Sequence, residues 1–389
     1  MGRTSERLAS VDLLRGASIT YMFVGHLLDW WLAAPSRWVW ALTYATFDCL
    51  GAGAFVFVSG VSLQISWRRG RGRGGYWVRF STRTGLIGAL GLTYNLLGFF
   101  RYWGWAAAWS WFVLQTIAVS RLLAAPLLRT SKTTRIVVTL ATFALATPLR
   151  NALLLAKDSS FLGAVAWHAL FNPPHENTIF PFFGSFLAGT VTADVLLDAR
   201  EVRGKEGRES GTITPVRGAF AAAGLLVVVG LILGAPLVDW DYGYQLLDLL
   251  NRHPNWELPG IPLFLVRNST AWTFFCTGVQ VTVMTVLFTA RDLDRVNRPP
   301  GRGLGLFGRY SLTLYVLHHV GYYWFTFSLD HRTVWLPLLA CTLAFWLLTR
   351  VWDAKFGGKG SLEWAFNEVT RNLERRLISW RTRREAGEA

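Results

Sequence analysis

Two residues near the amino terminus have types and a spacing that can do chemistry together. Arg15 and His26 lie in SVDLLRGASITYMFVGH, separated by ten mostly apolar residues. On a helix that gap is about 15 Å of rise. The segment is long enough to cross a bilayer, so Arg15 would sit near one membrane face and His26 past the midplane. Ionisable side chains inside a membrane are costly and mark functional sites by default. A guanidinium at the face can hold an anionic donor, and an imidazole at depth can move protons. Two plainer readings compete. His26 can be a buried imidazole bonded to a backbone carbonyl. Arg15 can anchor the segment by pairing with Asp12 or with lipid phosphate.

Asp48 lies in the second apolar segment, within FDCLGAGAFVFVSG. If the first two segments form a hairpin turning near Pro35, Asp48 reaches a depth similar to that of His26. A carboxylate there can orient and charge-stabilise an imidazole; the alternative is pairing with some other buried cation. His318 and His319 lie in GRYSLTLYVLHHVGYY. Adjacent helical residues point about 100° apart, so one of the two is expected to face the interior. His175 and Glu176 open a later segment, where they can bind an acceptor or cap a helix. Other motifs are discounted. Gly303-Leu304-Gly305-Leu306-Phe307-Gly308 matches GxGxxG, but no strand precedes it. The Arg-Gly run at 68–75 reads most simply as a basic loop. There is no HExxH, GxSxG or P-loop. Cys49, Cys276 and Cys341 lie in apolar runs without ligand spacing, so they read as packing residues and no metal is expected.

The elements that must position these side chains are membrane helices. The chain is 52% hydrophobic and 16% charged, with a mean hydropathy of +0.31, which points to a polytopic membrane protein. Many of its 20 Trp fall at the ends of apolar runs, as interfacial anchors do. Candidate spans fall at 12–33, 39–66, 84–100, 104–127, 136–155, 178–198, 218–238, 270–290, 310–329 and 333–351. Of the 39 Lys and Arg, 30 fall in or beside alternate connections, so the net charge of +15 reads as a positive-inside pattern and not as a nucleic-acid surface. The expected fold is an all-α bundle of about ten transmembrane helices with both termini cytoplasmic. The first span is expected to be retained, since no small-residue cleavage site follows it. Residues 1–352 form the membrane domain. Residues 353–389 form a basic amphipathic tail for the inner leaflet, with Leu362, Phe366, Val369 and Leu373 at helical spacing. The excess of Arg over Lys fits a GC-rich bacterial genome, and so a bacterial cytoplasmic membrane.

The ordered motifs resemble the transmembrane acyltransferases. SVDLLRGASITYMFVGH is similar to the first-span signature shared by the acyltransferase type 3 and heparan-α-glucosaminide N-acetyltransferase families, and is closer to the former pattern. FDCLGAGAFVFVSGVSLQISWRR, IFPFFGSFLAGTV and FGRYSLTLYVLHH resemble segments of the latter branch, with Ser311, Tyr315 and His318 matching the last. The resemblance implies transfer of an acyl group, acetyl above all, from cytosolic acyl-CoA to an envelope sugar or glycolipid on the other side. The donor phosphates would then lie near Arg15, Arg309 and the 68–83 loop. The acceptor would enter between loops 156–177 and 239–269, with His175, Glu176 and Tyr315 as binding residues. His26, supported by Asp48 and with His318 as a further catalytic residue, would deprotonate the acceptor or carry the acyl group as an acyl-imidazole. Partners implied are membrane lipids, the glycan acceptor and, in the assembled form, a homodimer, with no nucleic acid.

A proton-coupled transporter is the main rival, because buried titratable residues suit it too. Neither an internal repeat nor paired Gly/Pro-broken spans is visible in its favour. A non-catalytic envelope-assembly protein would leave the Arg15–His26 spacing unexplained.

Overall fold

A computed structural model describes residues 7–72, 75–173, 176–206, 214–293 and 303–385. The described chain is nearly all helical. Helices α1 (Ala9–Trp31), α2 (Trp38–Phe47), α3 (Ala52–Gly70), α4 (Tyr76–Trp103), α5 (Val113–Leu127), α6 (Lys132–Ala156), α7 (Phe161–Phe171) and α8 (Ile179–Glu206) form the first part. They are followed by α9 (Thr214–Leu233), α10 (Leu246–Leu250), α11 (Thr270–Arg291), α12 (Leu304–Arg309), α13 (Ser311–Leu317), α14 (Trp335–Phe356) and α15 (Leu362–Glu385). A two-residue antiparallel pair, Leu237–Val238 with Ile261–Pro262, closes the long connection between α9 and α11.

Among the described residues, six helical stretches are long and apolar enough to cross a membrane: Ala34–Gly70, Lys132–Ala156, Ile179–Gly204, Thr214–Leu233, Thr270–Arg291 and Trp335–Phe356. α1 and α4, at 23 and 28 residues, reach spanning length but are less apolar. α9 and α14 leave Leu225, Ile232, Leu336 and Leu348 exposed, as lipid-facing helices do. Ser131 and Ser269 accept hydrogen bonds from the N–H groups of Thr134 and Trp272 and so start α6 and α11. The amino end of α1 is capped from afar, with the Asp292 carboxylate accepting from Ala9 N (2.9 Å) and Ser10 N (2.8 Å).

Two segments expected as unbroken spans are interrupted. The 39–66 segment breaks into α2 and α3 through a tight turn at Asp48–Leu50. Gly51 permits the break, because a Cβ there would stand 2.7 Å from the Tyr21 ring. The 310–329 segment breaks at Tyr310, and again after Leu317, where His318–Tyr323 winds as a 3₁₀ turn. Irregular backbone at membrane depth survives only where protein or a cavity covers it, and Asp48 and His318 are both buried.

The GxGxxG motif has a packing role. A Cβ on Gly308 would lie 1.8 Å from the carbonyl oxygen of Asp12, and one on Gly16 would lie 1.8 Å from that of Leu304. α1 and α12 therefore touch backbone to backbone, through the glycine that follows Arg15. α14 runs past Asp353 to Phe356, and the carboxy-terminal helix begins at Leu362, the first residue of the amphipathic spacing. Glu363 of α15 accepts from Leu312 N (2.6 Å), Thr313 N (3.3 Å) and Thr313 Oγ1 (2.6 Å), which ties α15 to the start of α13. All three cysteines are free and buried.

Candidate active site

The chain after α13 returns to the far end of α1. Trp31 Nε1 donates to the Gly321 carbonyl at 2.8 Å. The N–H groups of Phe327 and Leu329 donate to the carbonyls of Trp30 and Trp31 at 2.8 and 2.9 Å. Those are terminal carbonyls that a helix cannot satisfy by itself. The bonds hold the 318–329 segment against α1 and bring His318 to His26, with Nδ1 of His26 2.8 Å from Nε2 of His318.

The network assigns the protons. A carbonyl oxygen only accepts, and His318 Nδ1 lies 2.6 Å from Tyr315 O, so Nδ1 carries the hydrogen. The Nε2 of a neutral His318 is then an acceptor, and His26 Nδ1–H donates to it. His26 Nε2 is left as a lone pair without a partner among the described residues. It is a base held at one angle by a chain of two further acceptors. His318 is fully buried and His26 half-buried, so the open nitrogen belongs to the accessible ring.

Both of the paired histidines face this site. The ring of His319 lies 5.7 Å from that of His26 and 4.0 Å from that of His318, and its Nδ1 reaches the same Tyr315 carbonyl at 3.3 Å. The expectation that only one would face inward rested on α-helical geometry, and the helix has ended at Leu317. Trp30 lies over His318 (ring centroids 5.9 Å, planes 16° apart), Tyr94 lies 4.8 Å from His319, and Tyr322 lies 5.5 Å from Trp30. These rings wall the imidazoles with apolar surface. Nitrogens of the three histidines fall within 4.8 Å of one another, a distance a metal ion could bridge. As bonded, His318 has no free lone pair, and the arrangement is a chain of hydrogen bonds from His26 through His318 to the Tyr315 carbonyl.

Asp48 does not meet His26. It turns to Arg267, whose Nη1 lies 3.6 Å from Asp48 Oδ1, with both side chains buried. Arg267 also donates to Tyr44 and Tyr244 hydroxyls (3.3 Å each) and to Asn177 Oδ1 (2.6 Å), under the faces of Phe182 and Trp272. The buried cation that competes for Asp48 is therefore Arg267, a residue that reads in the sequence as one outer-loop charge among several. Tyr315 contributes the carbonyl that orients His318 and His319. Glu176 sits on the Arg267 side, its backbone carbonyl accepting from Asn268 Nδ2 at 2.9 Å. His175 lies outside the described residues.

Arg15 donates to Ser62 Oγ at 2.7 Å and stands 3.9 Å from Asp12, which is held more closely by Arg7. Arg309 pairs with Asp353 at 3.1 Å. Both arginines lie at the end of the bundle opposite the imidazoles, where α1 meets α12. Sequence reasoning left open which of His318 and His319 faces the site, and it missed Tyr94, Trp30 and Arg267 as site neighbours. Only His319 carried a signal, through its adjacency to His318.

A family model described as heparan-alpha-glucosaminide N-acetyltransferase, catalytic, matches residues 7–227. The match includes Arg15, His26 and Asp48 and ends within α9, before His318. No curated protein matches the chain.

Proposed function

The chain belongs to the heparan-alpha-glucosaminide N-acetyltransferase catalytic family, and from that premise we propose that it moves an acetyl group from acetyl-CoA to a hydroxyl or amine of an envelope sugar or glycolipid across the membrane. The observation that carries the reading is the relay Tyr315 O, His318, His26, which leaves one imidazole nitrogen open and oriented. His26 Nε2 takes the proton of the acceptor as its oxygen or nitrogen attacks the thioester carbonyl. His318 Nε2 accepts from the imidazolium that forms. When the carbon–sulfur bond breaks, His26 returns the proton to the departing CoA thiolate. The same nitrogen can instead attack the thioester and carry the acetyl group, with the acceptor completing the transfer.

The charge pattern of the connections supports ten crossings with both termini cytoplasmic, in a bacterial cytoplasmic membrane. The donor then approaches from the Arg15 end and the acceptor from the end where the 156–177 and 239–269 connections lie. Membrane lipids surround the bundle, and a homodimer is compatible with it.

The test is acetyl transfer from radiolabelled acetyl-CoA to an envelope extract by the purified protein in liposomes. Wild type is expected to label the glycan or glycolipid fraction. His26→Ala is expected to lose about 10²–10⁴ in rate while still inserting and accumulating. Labelling by the variant at the wild-type rate would remove His26 as the base.

A further inference from the structure

Away from the imidazoles, at the end of the bundle that holds Arg15, α3, the α5–α6 connection and α8 border an open cavity of about 390 Å³. Its size is that of a small-molecule site. The inner wall is a polar network, buried at Gln64, Arg135 and Asp194. Asp194 accepts from Gln64 (2.8 Å) and Arg135, and Arg68 Nε stands 3.3 Å from it. Asp198 accepts from Arg68 (2.5 Å) and Lys132 (2.7 Å). Every oxygen of the two carboxylates is thereby engaged. Arg135 is 98% and Gln64 97% buried, yet Arg135 Nε and Gln64 Oε1 have no hydrogen-bond partner among the described residues.

Arg71 and Arg129 complete the rim. Neither has a carboxylate partner among the described residues, and the Arg129 guanidinium lies 5.1 Å over the Trp77 ring. Five cationic side chains thus line the cavity against two carboxylates that are already saturated. A surplus of positive charge in a concave site calls for a phosphate-bearing ligand, since guanidinium forks match phosphate oxygens.

We propose that this cavity seats the phosphate-rich nucleotide end of the acyl-CoA donor, an assignment that rests on the acetyl-transfer reading above. A lipid headgroup offers the same phosphate chemistry. A single phosphodiester would leave most of the surplus charge uncompensated, whereas a nucleotide with several phosphates uses it. The assignment keeps the 68–83 loop, through Arg71, as a donor contact and moves the rest of the anchor away from Arg15 and Arg309. Arg309 pairs with Asp353 and Arg15 with Ser62, whereas Arg71 and Arg129 have no carboxylate partner among the described residues.

The experiment is calorimetric titration of the full-length protein in nanodiscs of neutral lipid with CoA and with adenosine 3′,5′-bisphosphate. Arg71→Glu and Arg129→Glu are the variants; both positions are exposed, and Arg71→Lys keeps the charge without the fork. Wild type should bind both ligands. Each reversal should weaken binding on the order of tenfold or more, and Arg71→Lys should weaken it less. CoA binding that is unchanged in both reversed variants would overturn the cavity as the donor seat and leave the acetyl-transfer reading standing. If wild type fails to bind CoA at all, the donor reading itself falls, and the seat with it. A second arm adds phosphatidylglycerol to the nanodiscs. Displacement of bound bisphosphate only through Arg71 and Arg129 supports a shared phosphate seat. Lipid binding there, with no nucleotide binding to wild type, overturns the proposal in favour of a headgroup.

Discussion

Replacing His318 with leucine tests the relay directly. The wild-type ring accepts from His26 Nδ1 at 2.8 Å and is itself held by Tyr315 O at 2.6 Å. Leucine removes the acceptor, so nothing fixes His26 with its proton on Nδ1 and its lone pair on Nε2. The group lost is also the one that would accept from the imidazolium during transfer. A hydrogen bond to a charged group is worth about 1.5–3 kcal/mol. At 1.36 kcal/mol per decade, that is about 10–150-fold in kcat. Glutamine at 318 offers a carbonyl oxygen that can accept from Nδ1–H, and His318→Gln should recover part of the loss. The assay is kcat for acetyl transfer at saturating donor and acceptor in proteoliposomes, with protein quantified after insertion. His26→Ala combined with His318→Leu should be no slower than His26→Ala alone, because the second residue acts only through the first. Full kcat in His318→Leu would refute the relay, as would losses in the double variant that multiply.

Three further outcomes follow from the packing. Gly16→Ala drives a Cβ into the Leu304 carbonyl, so thermal unfolding in detergent should show a loss of about 1–3 kcal/mol, with α1 and α12 forced apart. Asp48→Asn leaves Arg267 buried without its counter-charge, at a cost of about 3–5 kcal/mol in stability, and Asp48→Asn with Arg267→Met should restore membrane accumulation; full accumulation and stability of Asp48→Asn alone would contradict this structural role. Glu363→Ala removes the acceptor of two N–H groups at the start of α13, and kcat should fall by more than donor or acceptor affinity, since α13 leads directly into His318.

The helical segments and the candidacy of His26 are legible because hydropathy and residue chemistry act over short distances along the chain. Apolar runs near 20 residues report a helix whatever it packs against, and Arg15-Gly16 with His26 lies within one such run. What hydropathy could not show was the two interruptions. A break at Asp48–Leu50 keeps the same apolar content as an unbroken span, and only the Tyr21 ring packed on Gly51 makes it visible. The same holds for partners. Depth along two helices put Asp48 level with His26, but depth says nothing about rotation. Asp48 faces Arg267, 219 residues later, because the loop before α11 folds back between α2 and α8. His319 was undercounted for a related reason: the 100° rule applies to an α-helix, and residues 318–323 are wound more tightly.

The relay is held at two points on one rigid helix. At one end of α1, Gly16 and Gly308 let α12 lie directly on its backbone. At the other, Trp31 Nε1 and the carbonyls of Trp30 and Trp31 fasten the segment from Gly321 to Leu329. His318 lies between these clamps on the carboxy-terminal side, and His26 lies between them on α1. A contact fixed from both sides, between Gly16 and Trp31 of one helix, has little freedom to drift, and geometry held that closely is what proton transfer requires. The clamp also extends the functional unit beyond the region that the family match covers. Residues 7–227 supply His26, yet the partner that sets its tautomer and both clamping segments come from beyond residue 303. A fragment ending at α9 would keep the first-span signature and lose the orientation of its base. Under the proposed function, the carboxy-terminal helices belong to the same unit as His26 and are not an appendage to it.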